Sequence, residues 1–151
     1  MTQVLIVLAV VLTGLSAGLF ATFSYAVMPG LRRCDDASFV QAMRGINIAI
    51  LSPVFAVVFV GAALVTVAAL VAGWGSDARP WMIAALALYV LGAFAVTGAV
   101  NVPLNDALEA GIDDVSRLRT SFEPRWVVWN HARSLTTTGA LVCLAVGAVR
   151  L

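Results

Sequence analysis

The chain has 151 residues, 62% of them hydrophobic and only 11% charged, with a mean hydropathy of +1.00. Soluble domains carry about a quarter charged residues, so a soluble globular protein is excluded. The net charge of +1 comes from nine arginines, no lysine and eight acids, and with no basic tail or interleaved aromatic patch it gives no footprint for a nucleic-acid partner.

At about 20 residues per helical crossing there is room for four membrane helices and one sizeable connection, so residues 1–151 read as a single integral membrane domain. Helix 1 is expected over residues 2–28, an almost unbroken run of Val, Leu, Ala, Gly and Phe ending at Met28-Pro29-Gly30. It has no Lys or Arg ahead of its apolar core and outruns the roughly 7 to 15 apolar residues of a signal peptide, so it reads as a span rather than a cleaved leader. Gly14 and Gly18 make a GxxxG step, which would let a neighbouring helix approach closely.

After the polar connection from Leu31 to Asp36, any of Asp35, Asp36 or Ser38 can cap helix 2, with Ser38 and Gln41 at the spacing of a capping box. Helix 2 is expected over residues 37–72. That is on the order of 50 Å at 1.5 Å per residue, longer than the hydrocarbon core, so its first turns sit at the interface or it bends at Pro53. Trp74 and Trp81 flank the next turn as interfacial anchors. Helix 3 follows over residues 81–104, its last turn disrupted by Pro103. Ile112, Val115, Leu118 and Phe122 then recur at the spacing of one helical face, which gives a short amphipathic helix over about 112–122 lying on the bilayer surface. Helix 4 opens at Pro124, a favoured first position, and covers residues 124–149. The fold class is all-α: an up-down four-helix membrane bundle with an interfacial helix between helices 3 and 4.

Up-down order brings the end of helix 1, the start of helix 2, the end of helix 3 and the start of helix 4 to one side of the membrane, and the polar residues gather there. Ser24 and Tyr25 come from helix 1, Gln41, Arg44 and Asn47 from helix 2, Thr97, Asn101 and Asn105 from helix 3, and Trp126, Asn130, His131, Arg133 and Ser134 from helix 4. The spacings are facial: Thr97, Asn101 and Asn105 fall at i, i+4 and i+8, as do Trp126, Asn130 and Ser134, while Arg44 and Asn47 lie at i and i+3. Interhelical hydrogen-bond glue accounts for any single asparagine. A lone histidine, several arginines and tryptophans at one depth point instead to a polar pocket for a small lipophilic molecule.

The chemistry open to such a pocket is restricted. A single His with no intrahelical Asp or Glu cannot make a catalytic metal site, the two cysteines Cys34 and Cys143 lie too far apart in depth for a framework or zinc, and no phosphate cradle or dinucleotide fingerprint occurs. Neither metal nor cofactor is expected. His131 is the candidate general base. Arg44, Arg133, Asn101 and Asn105 are candidate donors to an oxyanion or enolate, and Tyr25, Asn47, Trp126 and Asn130 complete the candidate lining. For His131 the alternative is a structural histidine, since it lies about 100° round the helix from Asn130.

Asn101-Val102-Pro103-Leu104-Asn105 and the W-x-x-x-N-x-x-R spacing from Trp126 to Arg133, with Met28-Pro29-Gly30-Leu31 and Asn47, resemble the anthrone oxygenase-like family of small four-helix membrane proteins. The resemblance implies a cofactor-independent reaction in which molecular oxygen converts an anthrone to an anthraquinone. The competing expectation is a non-enzymatic membrane protein that binds a lipid or quinone, or a small subunit of a larger complex. A bacterial-type plasma membrane is the expected location. The arginine distribution places the polar end in the cytoplasm, and the oligomeric state is left open.

Overall fold

A computed structural model describes residues 1–112 and 114–151. Those residues form five helices: α1 (Thr2–Leu31), α2 (Asp36–Ala49), α3 (Pro53–Ala72), α4 (Arg79–Ala110) and α5 (Val115–Val149). No strand occurs among the described residues. Helices α1, α3, α4 and α5 are long and apolar enough to cross a membrane, and they alternate in direction as a helical membrane bundle. At one end Thr2 Oγ1 donates to Ala72 O at 3.2 Å. At the other, Trp126 of α5 meets Asn105 of α4, and Arg32 at the end of α1 meets Glu123 of α5.

Helix 2 differs from the sequence expectation in a way that shapes the site. Pro53 does not bend a continuous helix; it starts a new one. Ser52, held extended (φ −101°, ψ 154°) as residues before proline are, accepts the Phe55 N–H on its hydroxyl at 3.2 Å and caps α3. The 20 residues of α3 rise roughly 30 Å, the thickness of the hydrocarbon core. The break at residues 50–52 therefore lies at the hydrocarbon boundary, and α2 lies beyond it. Asp35 caps α2, accepting from the Ser38 N–H at 2.9 Å and the Ser38 hydroxyl at 2.8 Å. These bonds, the backbone one foremost, hold its carboxyl below the usual carboxylate range. The Ser38–Gln41 capping box is not used.

Helices α1 and α4 run through prolines that the sequence reading took as endings. Each does so with a wide turn just before the proline: Met28 N–H bonds Phe23 O, and Val102 N–H bonds Thr97 O, five residues back instead of four. Such π turns re-register the helix so that Pro29 and Pro103 fit without ending it, and they recur at functional sites. A third wide turn, Val90–Ala95, lies deeper in α4.

The described part of the 112–122 segment is helical from Val115, but it forms the first turns of the 35-residue α5 rather than a separate surface helix. Asp113, inside that segment, lies outside the described residues. Pro124 sits within α5, and the carbonyl it leaves unserved, on Thr120, belongs to an exposed residue that water can reach.

Two hydrophobic clusters result. The membrane layer packs Phe59 among Phe20, Phe55, Tyr89 and Phe94 and closes around buried alanines such as Ala9, Ala62, Ala85 and Ala140. Here close packing between small residues, not removal from water, holds the helices together. The closest approach is at Gly92 of the third wide turn, where an added Cβ would run into the Thr136 side chain of α5. Gly14 and Gly18, by contrast, would meet only ordinary contact or open space, so their GxxxG step is not a tight crossing.

The second cluster, above the boundary, joins Phe39, Val40 and Met43 of α2 to Phe23 and Met28 of α1, Leu108 of α4 and Phe122 and Trp126 of α5. Where folding takes such a large side chain out of water, its full burial stabilises the fold by about 1.5 to 3 kcal/mol. Arg119 ties the same region together. It donates to Glu123 at 2.8 Å, to Asp36 at 3.0 Å and to the carbonyls of Cys34 and Arg32, and it lies over the Phe39 ring.

Candidate functional site

A cavity of about 210 Å³ lies in the seam between the two clusters, where the break in helix 2 opens the bundle. Most of its wall is apolar: Leu19, Phe20 and Phe23 from α1, Ile46, Ile50, Leu51 and Phe55 from either side of the break, and Val102 from α4. Into it project Asn47 of α2, Thr97, Asn101 and Asn105 of α4, and Trp126 and Arg133 of α5. The wide turns of α1 and α4 both bear on the cavity, through Phe23 and through Thr97 and Asn101.

The polar side is built from α5 outward. Trp126, Asn130, Arg133, Ser134 and Thr137 are all buried and recur at helical spacing on one face. Asn130 crosses to α1, its Nδ2 donating to Phe20 O at 3.0 Å and to Ser24 Oγ at 2.9 Å, and Ser24 in turn pairs with Ser134 at 2.9 Å. The other end of the Asn130 amide accepts from Arg133 Nη2 at 2.9 Å. Arg133 Nη1 reaches Thr97 Oγ1 at 3.3 Å. Its guanidinium lies 4.5 Å from the Phe20 ring centre and 5.2 Å from that of Trp126, a stacking that suits a weakly hydrated planar cation. Trp126 is fixed by its indole N–H, which donates to Asn105 Oδ1 at 2.9 Å.

Three polar groups in the cavity wall have no protein partner among the described residues: Arg133 Nε, Asn47 Nδ2, and both the oxygen and nitrogen of the Asn101 amide. Asn101 is 1% exposed and Arg133 6% exposed. Buried polar groups left unmet cost about 1 to 3 kcal/mol each, more when charged. All three residues line the same largely apolar cavity, whose wall thus combines aromatic surface with buried hydrogen-bonding groups. Arg133 also forms no ion pair among the described residues, so it presents uncompensated positive charge to the space beside it.

Of the sequence-derived candidates, Asn47, Asn101, Asn105, Trp126 and Arg133 line the cavity, and Asn130 stands directly behind Arg133. Three do not take part. Tyr25 is 71% exposed and among the described residues its hydroxyl meets only Thr22, at 3.3 Å. Arg44 turns to the end of α4, donating to Leu108 O at 2.8 Å and 3.0 Å and to Gly111 O at 2.6 Å, so it caps a helix C-terminus. His131 is exposed on the outer face of α5, lines no part of the cavity and makes no side-chain hydrogen bond among the described residues. The expectation that it supplies a base inside the bundle is corrected by the helical register, which turns it away as Asn130 and Arg133 turn in.

The sequence reading also missed residues that the cavity uses. Phe20 and Phe23 passed as ordinary apolar filling. Asp106 and Glu109 line the rim, against the expectation that no acid completes the site. Once α4 continues through Pro103, Val102, Asn105, Asp106 and Glu109 fall on one face at i, i+3, i+4 and i+7. Among the described residues no three His, Cys, Asp or Glu side chains are grouped as metal ligands.

A family model described as anthrone oxygenase matches residues 39–143. The match takes in Asn47, the Asn101 to Asn105 stretch and the Trp126 to Arg133 face, and it begins after Met28-Pro29-Gly30-Leu31. No curated protein and no solved structure matches the chain.

Proposed function

The chain belongs to the anthrone oxygenase family, and from that membership we propose that its cavity binds a planar, lipophilic anthrone or related phenol and promotes oxidation by molecular oxygen without a resident cofactor. The observation that carries this reading is the pair of buried, unpartnered donors, Arg133 Nε and the Asn101 amide, on residues that line a largely apolar cavity. An anthrone has one carbonyl oxygen on an apolar tricyclic body, and its methylene, opposite that carbonyl, is the acidic position. Removal of a methylene proton moves charge onto the oxygen, where a cationic donor and an amide stabilise it more than they stabilise the neutral ketone.

The carbanion then reacts with oxygen directly. A carbon–oxygen bond forms at the former methylene, and a proton completes the hydroperoxide. Loss of the second proton from that carbon breaks the O–O bond, and hydroxide departs to be protonated as water. One anthrone and one O2 give one anthraquinone and one water, the substrate supplying all the electrons. Phe20, Phe23 and Trp126 supply aromatic walls for the ring system.

Location supports a lipophilic substrate. Ile48, Leu51 and Val102 line the cavity while also being exposed on the outside of the bundle, Leu51 by 80%. At the depth of the helix break this exposure faces the hydrocarbon boundary, so the cavity opens toward lipid. We place the protein in a bacterial-type plasma membrane with the polar end cytoplasmic. Only Arg133 of the arginines lines the cavity. Arg32, Arg33, Arg44, Arg117, Arg119 and Arg125 at that end then outnumber Arg79 and Arg150 at the other.

The test is oxygen uptake by protein in lipid nanodiscs supplied with 9-anthrone, compared with the Arg133→Ala and Asn101→Ala variants. Uptake above the spontaneous rate that falls about 100-fold or more in Arg133→Ala is expected. Binding of anthraquinone with no uptake would replace the oxygenase with a quinone-binding membrane protein.

A further inference from the structure

Outside the hydrogen-bonded face of α5, the cavity carries one more kind of chemistry, a pair of carboxylates. Asp106 and Glu109 of α4 line its rim, both exposed, and neither has an ion-pair or side-chain hydrogen-bond partner among the described residues. Two acids on a helix would by themselves be a solvated face. Here the same cavity wall holds Asn101, 1% exposed with both amide atoms unpartnered, and Arg133, 6% exposed with a free Nε. An anion-stabilising floor and a carboxylate rim bound the same space.

We infer that Asp106 is the general base that removes the methylene proton of the substrate. This rests on the reading of the cavity as the site of oxidation. Asp106 stands five residues beyond Asn101, roughly 7 to 8 Å along the helix axis. With a carbonyl oxygen on Asn101 and Arg133, the methylene at the opposite end of the central ring comes within proton-transfer reach of that height. Glu109 is nearly a further turn away, at the outer lip. Among the described residues no other anionic side chain lines the cavity, and His131 faces away from it.

The assignment is chemically balanced by the floor. A carboxylate is a weak base for a carbon acid, so the transfer proceeds only if the developing oxyanion is held. Arg133 supplies the one positive charge in the cavity wall for that purpose, Arg44 being turned to the carbonyls of Leu108 and Gly111. Asp106 takes the C–H proton, the electron pair moves through the ring to the oxygen at Asn101 and Arg133, and the protonated acid, exposed at the rim, releases its proton to water.

Proton removal can be read without oxygen. Under anaerobic conditions in D2O, protein in nanodiscs is given 9-anthrone and hydrogen–deuterium exchange at the methylene is followed by NMR; oxygen uptake is measured separately in air. Asp106→Asn is expected to slow enzyme-dependent exchange by about 10²- to 10⁴-fold, and Asp106→Glu to recover part of it. Asp77→Asn, in the exposed turn between α3 and α4, should change it less than about threefold, and anthraquinone binding, read by tryptophan quenching, should persist in Asp106→Asn. Wild-type uptake with an equally active Asp106→Asn variant overturns the base and leaves the oxygenase standing. Wild-type exchange lost in Asp106→Asn, with no oxygen uptake by the wild type, supports the base and overturns the oxygenase. Loss of exchange and of anthraquinone binding together in both Asp106→Asn and Asp106→Glu overturns the base, because the side chain then only shapes the cavity. A wild type that does neither overturns both.

Discussion

Arg133 donates through Nη2 to Asn130 Oδ1 at 2.9 Å, one turn back on the same helix, while the other end of that amide is anchored to Phe20 O of α1. The direction of the guanidinium is thus set from a neighbouring helix, and Nε is left buried and unpaired among the described residues. Asn130 is a positioning residue: it does not line the cavity, yet it fixes the group that does.

Asn130→Ala removes that anchor without touching the lining. A hydrogen bond to a charged group contributes about 1.5 to 3 kcal/mol, so kcat/KM for anthrone oxidation should fall about 10- to 100-fold. The loss should lie chiefly in kcat, because Arg133 stabilises charge that develops only in the transition state. An unchanged kcat with a raised KM would show that the amide merely shapes the cavity.

His131→Ala tests the register directly. The histidine is exposed on the outer face of α5, and surface substitutions change energies by about 0.5 kcal/mol or less. Oxygen uptake should therefore stay within about twofold of wild type. A tenfold loss would put a residue on the outside of the helix back into the chemistry.

Much of the site was legible because polar groups in hydrocarbon need a reason, and Asn101, Asn105, Asn130 and Arg133 declared themselves by depth and spacing alone. Arg44 was misread because its register matched Asn47 while its length carried the guanidinium away to the end of α4. Asp106 and Glu109 were hidden by a rule about proline. Pro103 was read as ending helix 3, but the wide turn at Thr97–Asn101 absorbs the proline and carries the helix on to Ala110. The break before Pro53 was half visible: proline marked the place, while the Ser52 cap that turns a bend into a new helix depends on a local extended geometry that composition does not reveal.

Gly92→Ala should be the most damaging small substitution in the membrane layer. The added Cβ runs into Thr136 of α5, so α4 and α5 must separate along their crossing. Overpacking costs about 1 to 3 kcal/mol, visible as a lower melting temperature of the detergent-solubilised protein. Thr136→Gly in the same chain should restore part of the loss, and Gly18→Ala, with nothing within 4 Å of the added atom, should be neutral. Equal stability of the Gly92→Ala and Gly18→Ala variants would contradict this crossing.

Arg44→Met keeps an unbranched apolar stem but removes the donors to Leu108 O and Gly111 O. The end of α4 should loosen from α2, with a lower melting temperature and faster proteolysis in the 105–120 region. Because Arg44 lines no part of the cavity, anthraquinone affinity measured well below the new melting point should change less than the stability does. A large loss of affinity at unchanged stability would return Arg44 to the binding site.

The proposed orientation is tested at Cys34, which is exposed in the connection between α1 and α2 at the polar end. With that end cytoplasmic, a charged, membrane-impermeant maleimide should leave Cys34 unmodified in intact cells and label it after permeabilisation. Cys143 lies far along α5 among apolar neighbours, where such a reagent does not penetrate, so the signal reports one position. Cys34→Ser should abolish it. Strong labelling of intact cells would place Arg32, Arg33, Arg117, Arg119 and Arg125 on the outer side, against the arginine bias, and the carboxylate rim of Asp106 and Glu109 would then release its proton outside the cell.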